Sequence, residues 1–295
     1  MQRANSSIGL AVIAYLVWGF AALYWVQLEA VTPVDLVAHR TIWSLPLLLC
    51  TLLIMQRLRA ALALLKNPRQ LAILATSSVA QAANWGLFLW AVTNEQASQA
   101  SLGYFLLPLI NVAIGRFLLG ETVERAQGVA IGLASIAMVI LVVENGGLPW
   151  VALGVAVSFG IYGLIRKEAN VDAIEGLFVE ILLIAPIALV WLALRDWGGL
   201  GHFGASTDAL LLGAGVLTVV PLGCYVVAAR RMTMTAMGLV FYLGPSCQLF
   251  VAVCIFGEPM NPVQLFSFSL VWLGLALMVA DTLRRLRSVR RFADE

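Results

Sequence analysis

Arg40 and Glu180 each stand at the head of an otherwise apolar stretch, 41–56 and 181–194. Asp35, His39 and Trp43 recur at i, i+4 and i+8, so they share one helix face with Arg40 adjacent. Glu175 precedes Glu180 at the spacing by which Asp35 precedes Arg40. In apolar surroundings a guanidinium can attract an anionic or polar group of a solute. A carboxylate there can gate a passage or carry a proton. The plainer alternative is that both charges reach a polar interface or pair with neighbours. For His39 the alternative is a hydrogen bond to a helix neighbour.

Other chemistry has little support in the sequence. Cys50, Cys224, Cys247 and Cys254 all fall inside apolar runs, which argues against disulfides and metal sites alike. There is no Walker A lysine loop, no HExxH and no Asp-rich cluster for magnesium and pyrophosphate. Residues 199–204 read GLGHFG, a match to GxGxxG, but lack the strand–turn–helix setting a dinucleotide site requires. Asn5-Ser6-Ser7 matches a glycosylation sequon at a short N-terminus predicted to be cytoplasmic. No cofactor and no metal is expected.

The elements that must position these residues follow from composition. Of 295 residues 61% are hydrophobic and 12% charged, too apolar to keep a surface in water, so the solvent is lipid. The net charge of +2 gives no reason to expect nucleic acid. A helix needs about 20 apolar residues to cross the hydrocarbon core. Eight charge-free stretches are long enough: 4–28, 70–94, 96–115, 126–143, 145–165, 209–229, 232–257 and 259–280. The runs 41–56 and 181–194 become spans only if the turns holding Arg40 and Glu180 are taken inside, giving ten helices. Each charge then lies roughly 9 Å into its helix, where a central charge costs at least about 2.5–3.5 kcal/mol. The run Ile8 to Leu28 is too long for a signal h-region and reads as the first span.

With both termini in the cytoplasm, inner segments hold 16 of the 18 Lys and Arg, from Arg3 through Arg166 and Lys167 to a basic tail after residue 283. The outer loops hold Arg195, and Arg40 is intramembrane.

The chain also resembles itself. Pro108 and Gly120-Glu121 recur as Pro245 and Gly257-Glu258 at an offset of 137, which also pairs Asn84 with Pro221 and Phe105 with Tyr242. At 140, Asp35, Arg40 and Pro46 fall on Glu175, Glu180 and Pro186; at 144, Trp18-Gly19 falls on Tyr162-Gly163. Five helices per repeat is an odd number, so the halves are expected to be inverted, as in many secondary transporters. The expected fold is all-α and integral to the membrane: repeats 1–145 and 146–283 around a central cavity, with a tail 284–295.

Pro46, Pro108, Pro186, Pro221 and Pro245 fall inside predicted helices, where each frees a carbonyl four residues back. They either line the cavity or only shape helices. Tyr104-Phe105 and Phe241-Tyr242 flank two of them and, with Trp18, Trp43, Trp85, Tyr162 and Tyr225, suit a planar or amphiphilic solute. Interface anchoring is the alternative for any one aromatic.

The motifs His39-Arg40-Thr41-Ile42-Trp43-Ser44, Asn84-Trp85-Gly86-Leu87-Phe88, Ala100-Ser101-Leu102-Gly103-Tyr104-Phe105, Leu118-Leu119-Gly120-Glu121, Tyr162-Gly163-Leu164 with Arg166-Lys167, and Tyr242-Leu243-Gly244-Pro245 run through the chain in order. In them the chain resembles the EamA-type carriers of the drug/metabolite transporter superfamily, most closely the RarD, or chloramphenicol-sensitive, group. Pro259 follows the second Gly-Glu pair. The resemblance implies ten helices in two inverted repeats, a central cavity and alternating access without ATP hydrolysis.

The expected function is movement of a small organic solute across a bacterial cytoplasmic membrane, with a proton or another ion as candidate coupling species. Arg40, His39 and Trp43 form the expected solute-facing cluster, lined further by Asn84, Tyr104, Tyr162 and Tyr242. Glu180 is the coupling or gating candidate. Monomer and homodimer both remain open. A membrane enzyme acting on lipid-linked substrates would need clustered acids or a metal set. A non-transporting partner protein would have no reason to keep charges and prolines at repeat-related depths.

Overall fold

Caps begin the spans where polar residues meet apolar runs. Thr32 and Asn67 accept backbone N–H bonds at the starts of Pro33–Ile54 and Pro68–Thr93, each followed by a proline suited to the first helical turn. Asp172 does the same for Ala173–Leu194, and Thr233 for the helix starting at Met234. The computed structural model describes residues 2–94, 96–144, 146–147, 150–257 and 262–293. Glu258 and Pro259 lie outside the described residues, as do the side chains of Arg3, Asn5, Ser6 and tail residues Arg284, Arg285, Arg287, Arg290 and Arg291.

The described residues are all-helical, with no strand. Nine helices among them are long and apolar enough to cross a membrane: α1 Ser7–Leu28, α2 Pro33–Ile54, α4 Ser101–Leu118, α5 Arg125–Glu144, α6 Trp150–Glu168, α7 Ala173–Leu194, α8 Ala205–Ala229, α9 Met234–Ile255 and α10 Pro262–Asp281. Between α2 and α4 lies α3, Pro68–Thr93, with 26 residues. It is long enough, but Ser77, Ser78, Gln81 and Asn84 dilute its apolar character; all four are buried. Arg40 and Glu180 fall inside α2 and α7, so both short apolar runs do extend through their charged turns.

Contacts repeat when the two halves are exchanged. Helix α1 packs on α8 and α9, as α6 packs on α3 and α4; α2 meets α7, α4 meets α9 and α5 meets α10. Backbone irregularities repeat as well. Single π-helical turns occupy Ile114–Leu118 and Val251–Ile255, 137 positions apart. Gly120 and Gly257 follow them at φ 65° and 69°. Gln56 and Asp196, 140 apart, end α2 and α7 at φ 55° and 49°, a region non-glycine residues seldom enter.

Pro46, Pro108, Pro186 and Pro221 are interior to helices. Near Pro245 the helix is interrupted, running Met234–Phe241 and then Leu243–Phe250.

Candidate functional site

A cavity of about 390 Å³ lies between α1, α2, α3, α4, α6, α8 and α9. Its lining runs from Trp25, Pro33 and Leu89, at one end of the bundle, down to Tyr15 and Phe159. Among the described residues Arg40 is the one charged side chain in it.

Arg40 projects from α2 because α8 approaches closely enough to hold it. A Cβ at Gly215 would lie 2.5 Å from the carbonyl of Trp43, so glycine permits this backbone contact. One turn further along α8, buried Thr218 accepts a hydrogen bond from Arg40 Nε at 2.9 Å. The guanidinium carbon stands 4.8 Å from the Trp85 ring centroid and 5.9 Å from that of Trp25. Such contacts stabilise a desolvated cation by about 2 kcal/mol. Among the described residues no carboxylate pairs with Arg40.

Amides and rings complete the wall. Asn84 donates through Nδ2 to the Val155 carbonyl at 2.9 Å and to Ser158 Oγ at 3.3 Å, leaving its carbonyl oxygen for other use. Gln81 is buried with Oε1 unpartnered, and Gln248 lines the opposite side. Trp18, Trp85, Phe88, Tyr104, Phe159 and Phe241 supply ring surface.

Of the predicted solute residues, the structure brings Arg40, Asn84 and Tyr104 together on this cavity, with Pro245 beside them. It places His39, Trp43, Tyr162 and Tyr242 off it. His39 Nδ1 accepts from Trp43 Nε1 at 3.2 Å, so Nε2 carries the proton and donates to the Trp197 carbonyl at 3.0 Å. Asp35 accepts from Thr32 Oγ1 at 2.7 Å and from Trp191 Nε1 at 2.8 Å. The i, i+4, i+8 face of α2 therefore joins α7 and the 196–199 turn. Tyr242 donates to the Phe105 carbonyl at 3.3 Å, bonding a residue to its own repeat counterpart. Pro46, Pro108, Pro186 and Pro221 do not line the cavity.

Below the cavity, packed rings close the bundle. Tyr15, Trp18, Phe159, Tyr162, Tyr225 and Phe241 meet with centroids 5.1–6.4 Å apart. Beyond them lies Glu180, 3.5 Å from Arg166 Nε, with side chains 3% and 0% exposed. Arg166 fits because Gly176 on α7 has no Cβ; one would run into the guanidinium. Ser77 and Tyr162 stand alongside Glu180.

Further ion pairs lie at this end. Arg57 joins Glu175 at 2.8 Å and Asp172 at 3.0 Å. Glu121 accepts from the Met234 and Thr235 N–H groups at 2.8 and 3.1 Å, capping α9, and stands 3.9 Å from Lys167. Lys167 also donates to the Met232 carbonyl.

Sequence reasoning counted Arg166 and Lys167 as loop markers of sidedness and did not single out Trp25, Gln81, Thr218 or Gln248. Gln81 had a usable signal, an amide three residues before Asn84 in a charge-free stretch. Thr218 had none.

Membrane-spanning helices around a half-buried, polar-tipped cavity define a multi-pass membrane protein built to admit a small molecule. The chain belongs to the EamA-like transporter family, whose model matches it twice, over residues 5–143 and 147–280. It is 38% identical over 292 residues to the protein RarD of Streptomyces exfoliatus, covering 98% of this chain and 92% of that one. A Vibrio cholerae protein described as an uncharacterized transporter is 36% identical over 293 residues, covering 98% and 97%. A solved crystal structure superposes with a TM-score of 0.73 at 18% identity, covering 92% of this chain and 96% of that one, which speaks to fold alone.

Proposed function

We propose that this chain is a secondary transporter that moves a small organic solute across the bacterial cytoplasmic membrane by alternating access. The observation that carries this reading is Arg40: a cation facing an aromatic cavity with no carboxylate partner among the described residues. Family membership and the relatives described as transporters support it.

The two family matches, the repeated π-helical turns and the exchangeable contacts support ten spans in two inverted repeats, 1–145 and 146–283, with a tail 284–295. Basic residues concentrate on one set of connections, which places both termini in the cytoplasm. The cavity then opens outward at Trp25 and Pro33. The ring layer, the Arg166–Glu180 pair and the Glu121–Lys167 and Arg57–Glu175 contacts seal the inner side.

Direct solute contact belongs to Arg40, Asn84 and Tyr104. Tyr242 joins the halves, and His39 with Trp43 holds α2 against the 196–199 turn. Tyr162 separates the cavity from Glu180, the group proposed to gate the inner side or carry a coupling proton. A ligand-stability screen tests the reading, with purified wild type and Arg40→Ala challenged by amino acids, nucleobases, organic acids and amphenicols. A solute that raises the unfolding midpoint of the wild type alone is expected. Equal stabilisation of both proteins removes Arg40 from the site.

A further inference from the structure

We infer that the Arg40 cavity selects a small monoanion carried on an aromatic ring, the aromatic monocarboxylate class. This rests on the transporter reading and names the solute of the same site.

Hydrogen-bond counting is the first support. A guanidinium has five N–H donors in a rigid fork. Arg40 uses its Nε–H on Thr218, and among the described residues the remaining four make no hydrogen bond. The buried nitrogens of Arg166 are shut away from any solute, whereas those of Arg40 adjoin a cavity. The free edge of the fork is the one that receives two oxygens of a carboxylate side by side.

Charge balance is the second. Among the described residues the cavity lining has no Asp, Glu, Lys or His, so its fixed charge is that of Arg40. A carboxylate neutralises it. A neutral amide leaves the guanidinium uncompensated in a desolvated site. A zwitterion or a cation brings an ammonium for which no lining carboxylate exists. Chain amides offer only acceptors of modest strength, Gln81 Oε1 and the Asn84 carbonyl, suited to a hydroxyl or ring N–H.

Shape is the third. The walls beyond Arg40 are ring faces and edges, chiefly Trp18, Trp85, Phe88, Tyr104 and Phe241, which pack best on another ring. About 390 Å³ lies at the small end of the roughly 300–1,000 Å³ range of small-molecule sites. It suits one ring with a short acid arm.

The test is calorimetric titration of the full-length purified protein with four probes sharing one ring: phenylacetate, phenylacetamide, phenylalanine and phenethylamine. Phenylacetate is expected to bind, with the other three weaker by about tenfold or more. In Arg40→Gln the preference for phenylacetate over phenylacetamide should fall to within about twofold, and Arg40→Lys should keep part of it. The ring contributions should survive in both variants, so a generally misfolded protein is recognised by loss of every probe. In that case Trp85→Phe, which leaves the guanidinium in place, must retain the charge preference for the inference to stand. Equal or tighter binding of the amide, the zwitterion or the amine to wild type overturns the charge selection and leaves the transporter reading intact. If none of the four binds while another solute from the stability screen does, the substrate class falls alone. If nothing binds in either experiment, both readings fall.

Discussion

Arg40 and Arg166 are both cations held among membrane-spanning helices, and their surroundings differ in every respect that matters to a cation. Arg40 has ring faces, a hydroxyl and open volume. Arg166 has a carboxylate at 3.5 Å, the Ala173 carbonyl at 3.1 Å and no exposed surface. The first charge retains unspent hydrogen-bond donors facing a cavity; the second is committed to holding α6 against α7. Glu180, the repeat counterpart of Arg40, belongs with the second. Residues at equivalent depths in the two halves have thus diverged, one toward a ligand and one toward a partner within the chain.

The comparison breaks most visibly at Arg166. Arg166→Ala strands a buried carboxylate and should cost about 3–5 kcal/mol in unfolding measurements. Arg166→Ala/Glu180→Ala should recover part of that loss. Equal losses in the single and double variants would mean that the two side chains are not coupled.

Gly215→Ala comes next. Its Cβ meets the Trp43 backbone, which has no flexible end to yield, so about 1–3 kcal/mol of destabilisation is expected. Because α8 carries Thr218, solute binding should weaken as well. His39→Ala sharpens the distinction between cavity and scaffold. It removes two hydrogen bonds and should cost about 1–2 kcal/mol, while solute affinity, read by titration, stays within about twofold. A large loss of affinity would return His39 to the solute. The smallest effect on stability is expected at Thr218→Val: about 1 kcal/mol or less, with solute affinity lowered about threefold to tenfold as the Arg40 fork loses its anchor.

Much of this was legible in the chain, and what was not has identifiable physical causes. A charge in an apolar run is visible from local sequence, and so Arg40 and Glu180 could be marked. Asn84 and Tyr104 stood out as polar groups in spans or beside a proline. What Arg40 touches depends on α8, which is about 180 residues away and brought near by Gly215. Arg166 read as a sidedness marker because it sits beside Lys167 at a helix end, where basic residues normally meet water. Its burial depends on Gly176 making room on another helix. His39 and Trp43 shared a face with the site residues, yet periodicity cannot say which neighbour that face meets. The π-helical turns at Ile114–Leu118 and Val251–Ile255 have no sequence signature that was used, although their equal placement follows the repeat.

The central claim is that Arg40 serves the solute and not the fold. It is tested most directly by measuring unfolding midpoint and solute exchange on the same preparations of wild type and Arg40→Ala. Exchange is followed as counterflow in proteoliposomes, using the solute that most stabilises the wild type. The predicted result is an unchanged midpoint with exchange reduced at least tenfold, roughly the loss of a charge-assisted hydrogen bond. Undiminished exchange in Arg40→Ala would contradict the account.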